Sequence, residues 1–175
     1  AGAPVSNLQV TTDAPNFYHP GRSGVLRLGP KNVLARFGEI HPGVLRKLGV
    51  KNAMVGFEVF LDAIPQPKAK KNAAKPHLTL SQFHPVERDF AFVVDVDTEA
   101  GKVVRAAMSA DKSIIVAVNV FDVFTGGSLG EGKKSLAVNV TLQPVDKTLT
   151  DADIDNVAQS IVASVEKATG GTLRG

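Results

Sequence analysis

Apolar and polar residues alternate with period two through several stretches in the second half of the chain. Phe90, Phe92, Val94 and Val96 are separated by Ala91, Val93 and Asp95, and Leu136, Val138, Val140 and Leu142 by Ala137, Asn139 and Thr141. Period two puts every second side chain on one face of a strand, so each stretch is expected to be a β-strand with one buried face. Ile114, Val116, Val118 and Val120 repeat the pattern and predict a further strand, on which Phe121 shares a face with Asn119. Elsewhere the period changes. Residues 98–110 hold Val103, Ala106, Ala107 and Ala110 at helical spacing, and Ile154, Val157, Ile161, Val162 and Val165 fall on one face of a second helix. Thr150, followed by Asp151 and Asp153, supplies an N-cap and first-turn acids for that helix. Gly170-Gly171 stops it, and Thr172-Leu173-Arg174 is expected as a last short strand.

The resulting order, β-α-β-β-α-β, is the split βαβ of the ferredoxin-like sandwich, an α+β architecture with an antiparallel sheet. Residues 82–175 are expected to form it. Two helices should cover one sheet face and leave the other, with Asn139 and Thr141, to solvent or a partner. Residues 1–64 read as a small β-rich segment. Val25 to Leu28 and Val33 to Phe37 flank a turn at Gly29-Pro30-Lys31-Asn32. A short helix runs from Gly43 to Leu48, opened by Pro42 and closed by Gly49, and a third strand covers Met54 to Leu61. Three strands and one short helix bury little surface, so this segment is expected to be part of a larger domain. Residues 65–81 link the two, with Pro65, Pro67 and Pro76 opposing regular structure and Lys68, Lys70, Lys71 and Lys75 keeping the run solvated.

Composition narrows the function classes. Of 175 residues, 43% are hydrophobic and 21% charged, ordinary for a soluble globular chain. The absence of cysteine excludes disulfides, zinc–thiolate sites and thiol nucleophiles, and suits a cytoplasmic protein. No apolar run approaches the ~20 residues needed to cross a bilayer, and Ala1-Gly2-Ala3-Pro4 lacks the basic segment and apolar core of a signal peptide, so no membrane partner is expected. The net charge of +3 is unevenly spread. Residues 86–175 hold nine Lys/Arg against thirteen Asp/Glu, a net of −4, whereas residues 66–85 carry four Lys and no acid. Any nucleic-acid contact by the second half must come from a local basic patch rather than from overall charge.

The most tempting motif is Gly127-Ser128-Leu129-Gly130-Glu131-Gly132-Lys133, the first seven positions of a phosphate-binding loop. Lys134 stands where Ser or Thr should hold Mg²⁺, and the alternating run that follows predicts a strand, whereas a phosphate loop must open a helix. A glycine-rich hairpin is the better reading, with Lys133 and Lys134 as phosphate contacts at its tip. The histidines His19, His41, His77 and His84 show no metal-ligand spacing. Asp151, Asp153 and Asp155 lack the Gly and distant Glu of a Ca²⁺ loop. No metal site and no catalytic residue is expected. An RNA-recognition motif would need aromatic residues on the open sheet face, where Ala91, Val93, Ala137, Asn139 and Thr141 are expected instead. Phe121 is the candidate base-stacking side chain. Arg88 and Asp89 should point to opposite faces of their strand, one toward RNA and one into the domain.

Phe83-His84-Pro85-Val86-Glu87-Arg88-Asp89-Phe90-Ala91-Phe92 resembles the opening strand of the anticodon-binding domain of phenylalanyl-tRNA synthetases. Phe121-Asp122-Val123-Phe124, Gly126-Gly127 and Gly132-Lys133-Lys134-Ser135-Leu136-Ala137 resemble its middle hairpin, Thr148-Leu149-Thr150-Asp151 its second helix start, and Leu173-Arg174 its ending. Tyr18-His19-Pro20-Gly21-Arg22-Ser23, Phe37-Gly38-Glu39-Ile40-His41-Pro42 and Phe57-Glu58-Val59-Phe60-Leu61 are similar to the end of the β subunit's catalytic-like domain, which implies that residues 1–64 are part of a class II synthetase-like domain that lacks the chemistry. The resemblance implies the C-terminal piece of a bacterial β subunit. Its whole enzyme would be an (αβ)₂ assembly joining phenylalanine to tRNA(Phe), with ATP and Mg²⁺ at an active site on the α subunit. This piece would hold no cofactor. Its partners would be the anticodon stem-loop, the α subunit and the second β subunit. Arg88, Lys133, Lys134 and Arg174 are expected at phosphates, with Phe121 and Asn139 near bases. The alternative is a structural, subunit-contacting module without RNA binding of its own.

Overall fold

The computed structural model describes residues 8–65 and 81–174. The chain divides into two compact units, Ala1–Lys75 and Pro76–Gly175. Most of the expected linker, residues 66–80, lies outside the described residues.

In the first unit β1 (Leu8–Thr11), β2 (Tyr18–Leu28), β3 (Asn32–Ile40) and β4 (Val55–Val59) form an antiparallel sheet in chain order. Gly29, at φ +75°, makes the β2–β3 turn in a conformation that disfavours a Cβ. Helix α1 (Pro42–Lys47) begins with proline in its first turn, and the His41 ring accepts a 3.0 Å bond from the Gly43 N–H. Among the described residues the buried apolar ones are few: Tyr18, Val25, Leu34 and Leu45. Val10, Phe37, Phe57 and Val59 share one face by register and are exposed. β1 is a strand that the alternation of the sequence did not indicate, because its four residues carry too short a pattern.

The second unit contains β5 (Val86–Asp95), α2 (Ala100–Ala110), β6 (Ile115–Phe124), β7 (Lys133–Leu142), α3 (Asp151–Thr169) and β8 (Thr172–Leu173). The sheet is antiparallel throughout, in the order β6-β7-β5-β8. This is the ferredoxin-like arrangement expected from the element order. Phe90, Phe92 and Val94 of β5 and Leu136, Val138, Val140 and Leu142 of β7 form the core with Val103, Ala106 and Ala107 of α2 and Val157, Ile161 and Val165 of α3. These are the alternating and helically spaced residues of the sequence. At the start of α3 the Thr150 hydroxyl accepts from the Asp153 N–H at 3.2 Å, and the Asp153 carboxylate accepts from the Thr150 N–H at 3.0 Å. This reciprocal capping box satisfies two backbone donors. Gly170, at φ +67°, ends the helix. Among the described residues no helix is long and apolar enough to cross a membrane.

β6 departs from its sequence pattern. Ile115 pairs with Leu142 but Ala117 with Thr141, so Val116 is an extra residue; Val120 pairs with Val138 but Asp122 with Ala137, so Phe121 is another. Each bulge reverses which face the following residues occupy. Ile115 and Val118 are buried, whereas Val116 is 55% exposed. Ile114, Val116, Val118 and Val120 therefore do not share one face.

Candidate nucleic-acid interface

Residues opposite each other in an antiparallel pair share a face, so the register fixes which side chains the helices leave uncovered. Phe90, Phe92 and Val94 with their partners on β7 lie under the helices. The uncovered face therefore carries Asp89, Ala91 and Val93 of β5 and Ser135, Ala137 and Asn139 of β7. On β6 it carries Asn119 and, after the second bulge, Asp122 and Phe124.

Three zones follow along this face. At one end Asn119, Asn139 and Asp89 stand in a row across β6, β7 and β5, and the Asn139 amide Nδ2 donates to Asp89 Oδ1 at 2.8 Å. The middle is small, with Ala137 directly opposite Ala91. At the other end Phe124, 43% exposed, pairs with Ser135, which pairs with Val93. Arg174 follows β8, its N–H donates to the Ala91 carbonyl at 2.7 Å, and its guanidinium carbon lies 5.8 Å from the Phe124 ring centroid. That distance is within cation–π range.

The six side chains expected at RNA do not converge. Arg88 is opposite Val140 and Lys134 opposite Val94, so both occupy the helix side of the sheet. Asn139, Lys133 and Arg174 share the open side. Lys133 and the Arg88 partner Val140 are seven positions apart on β7, about 24 Å at strand rise. Lys133 donates to Asp95 at 2.6 Å, so much of its charge is already compensated. Phe121 is 59% exposed and sits at the bulge without a partner on β7. Of Arg88 and Asp89, it is Asp89 that bonds within the domain.

Phe124 and Ser135 were not singled out from the sequence. Strict alternation from Asn119 assigns Phe121 to the open face and Phe124 to the helix side; the bulge leaves Phe121 without a partner and brings Phe124 to the open face. The available signal was the run Val120-Phe121, two bulky apolar residues in succession where alternation demands one.

The glycine-rich loop joins β6 to β7 through a short 3-10 turn at Gly127–Leu129, with Gly130 and Gly132 at positive φ. A strand begins at Lys133, so this loop presents no helix N-terminus to a phosphate. Among the described residues no group of three or more His, Asp or Glu side chains is arranged to hold a metal ion.

The family model of the ferredoxin-fold anticodon binding domain matches residues 81–174, and that of the phenylalanyl tRNA synthetase beta chain CLM domain matches residues 1–61. The phenylalanine–tRNA ligase beta subunit of Brucella abortus (strain 2308) is 61% identical over all 175 residues. The subunits of the same description from Paramagnetospirillum magneticum and Mesorhizobium japonicum are 58% identical over 175 and 57% over 174 residues. In each case the chain spans 22% of the relative's length. The chain thus belongs to the phenylalanyl-tRNA synthetase β-chain family, as a segment of such a subunit that carries its ferredoxin-fold anticodon-binding domain.

Proposed function

We propose that the second unit binds the anticodon stem-loop of tRNA(Phe) on the open face of its sheet. The intact cytoplasmic enzyme, with an α subunit and a second β subunit in an (αβ)₂ assembly, would carry out the ATP- and Mg²⁺-dependent aminoacylation. This segment holds no cofactor and performs no chemistry in that scheme. The observation that carries the reading is the exposed Phe124 ring, with Arg174 over it, on a sheet face that the helices leave uncovered. An exposed ring is a platform for a base, worth about 1–3 kcal/mol per stacked base. The Asn119–Asn139–Asp89 row offers hydrogen-bonding groups to base edges. With a net charge of −4 over residues 86–175, phosphate attraction contributes little beyond the local cations.

Fluorescence anisotropy of a labelled tRNA(Phe) anticodon stem-loop, titrated with the chain at several salt concentrations, tests this. Saturable binding that prefers the cognate loop and falls in Phe124→Ala is expected. A second reading, a subunit-contacting module, is favoured by the exposed apolar side chains Val116 and Val123 on the edge strand β6. Absence of stem-loop binding, together with capture of the α subunit, would select it instead.

A further inference from the structure

We propose that Arg174 is a displaceable strap: in the free protein it lies across the open face and occupies the Phe124 ring, and an incoming nucleobase exchanges with it. This regulation of the face rests on its reading as an RNA surface. Arg174 and Phe124 belong to opposite edges of the sheet, with β7 and β5 between them. Three inter-strand steps separate those edges, about 14 Å. The Arg174 backbone is pinned to Ala91 at 2.7 Å, yet its guanidinium reaches 5.8 Å from the Phe124 centroid. The side chain therefore crosses above the row that runs through Val93 and Ser135. Ser135 is only 4% exposed, although it is on the face that the helices do not cover. A side chain bridging above the sheet accounts for that screening.

The ring is also held from the loop side. A Cβ at Gly126 would lie 2.6 Å from Phe124 Cζ, so the end of the ring rests against the Gly126 backbone and cannot swing that way. A base stacked on the ring surface that the guanidinium uses must displace it, because the two cannot occupy that surface together. A stacked base is worth more than an exposed cation–π contact, so exchange runs toward the base. The strap lowers apparent affinity by the fraction of molecules in which it is closed. An exposed cation–π contact corresponds to a penalty of about three- to sixfold.

The test uses the whole 175-residue chain. In the free protein the Arg174 side-chain protons should be shifted upfield by the Phe124 ring current in the NMR spectrum, and Phe124→Leu should abolish the shift. Adding the anticodon stem-loop should return them to unstacked values. Arg174→Gln should bind the stem-loop about three- to sixfold more tightly than Lys112→Gln, which removes the same charge from an exposed turn. No ring-current shift in the free chain, or equal or weaker binding by Arg174→Gln, would overturn the strap. Failure of the underlying reading is distinguishable, because Phe124→Leu would then leave stem-loop binding unchanged whatever the ring-current shift shows.

Discussion

Gly171 lies between the left-handed cap of α3 and the start of β8, packed against β5. A Cβ built there would be 2.5 Å from Val94 Cγ1, 2.9 Å from the Val93 carbonyl oxygen and 3.1 Å from Thr169 Oγ1. Well-packed carbons are about 3.5–4.0 Å apart, so an alanine methyl would overlap Val94 by about 1 Å. Val94 is enclosed in the core, and the Val93 oxygen is backbone of a strand paired on both sides. Neither gives way cheaply, so β8 must move. Its ladder is slight: Leu173 opposite Phe92, Thr172 opposite Val93, and the Arg174 N–H on Ala91. Overpacking of this kind costs about 1–3 kcal/mol. In a unit of this size each kcal/mol moves the Tm by about 4–8 °C. Gly171→Ala should therefore lower the Tm of the second unit by at least about 4 °C, followed by far-UV circular dichroism. The urea m-value should not change. Gly127→Ala is the control: nothing lies within 4 Å of its added Cβ and its φ is not positive. It should stay within about 0.5 kcal/mol of wild type. A Gly171→Ala chain as stable as wild type, or a Gly127→Ala chain equally weakened, would refute the packing argument.

Thr150→Ala removes the α3 cap and should cost about 1 kcal/mol in urea unfolding; an unchanged midpoint would show that the capping box is dispensable. The hydrogen bonds from Lys147, then from the Thr150 backbone and hydroxyl, hold the Asp153 carboxyl down at about 2. Because the folded value is depressed, its stabilising effect is complete above the ordinary carboxylate range and is lost as pH falls from about 4 toward about 2. Carboxyl NMR should place its midpoint there, and Asp153→Asn should flatten that part of the pH–stability profile. Phe124→Ala should weaken stem-loop binding by about tenfold or more, the value of one stacked base, while Phe121→Ala should have a smaller effect in the same anisotropy titration; the reverse ranking would place the platform at the bulge. Lys134→Ala, on the helix side of the sheet, should change stem-loop affinity less than twofold or so.

Where side-chain period and burial are coupled without interruption, the chain could be read directly. β5 and β7 are straight, centrally paired strands, and each alternating apolar residue from Phe90 to Val94 and from Leu136 to Leu142 is in the core. The helix ends were legible for a similar reason: Thr150, Asp153 and Gly170 act through neighbouring backbone groups, so their roles depend on local sequence alone. β6 was legible as a strand but not in phase, because a bulge inserts a residue without altering composition. That loss of phase hid Phe124 and Ser135. Arg88 and Lys134 failed to join the other candidates for a different reason. Their charge says nothing about which side of a sheet they take, and only the register with Val140 and Val94 decides it. Arg174 needed the strand order, since its contact spans the whole sheet.

The two bulges of β6 bear on solubility as well as on the face. Ile115 to Val120 is an uncharged run, β-branched or alanine except for Asn119, continued by Phe121, and it lies on an outer strand of the sheet. A straight strand of that composition would offer a regular row of amide and carbonyl groups beside exposed valines, the template on which a second copy can add and a fibre can grow. Each bulge breaks the spacing of that row, and Asp122 places a charge just after the second break. The irregularity that turns Phe124 toward the open face therefore also keeps this edge from recruiting its own kind.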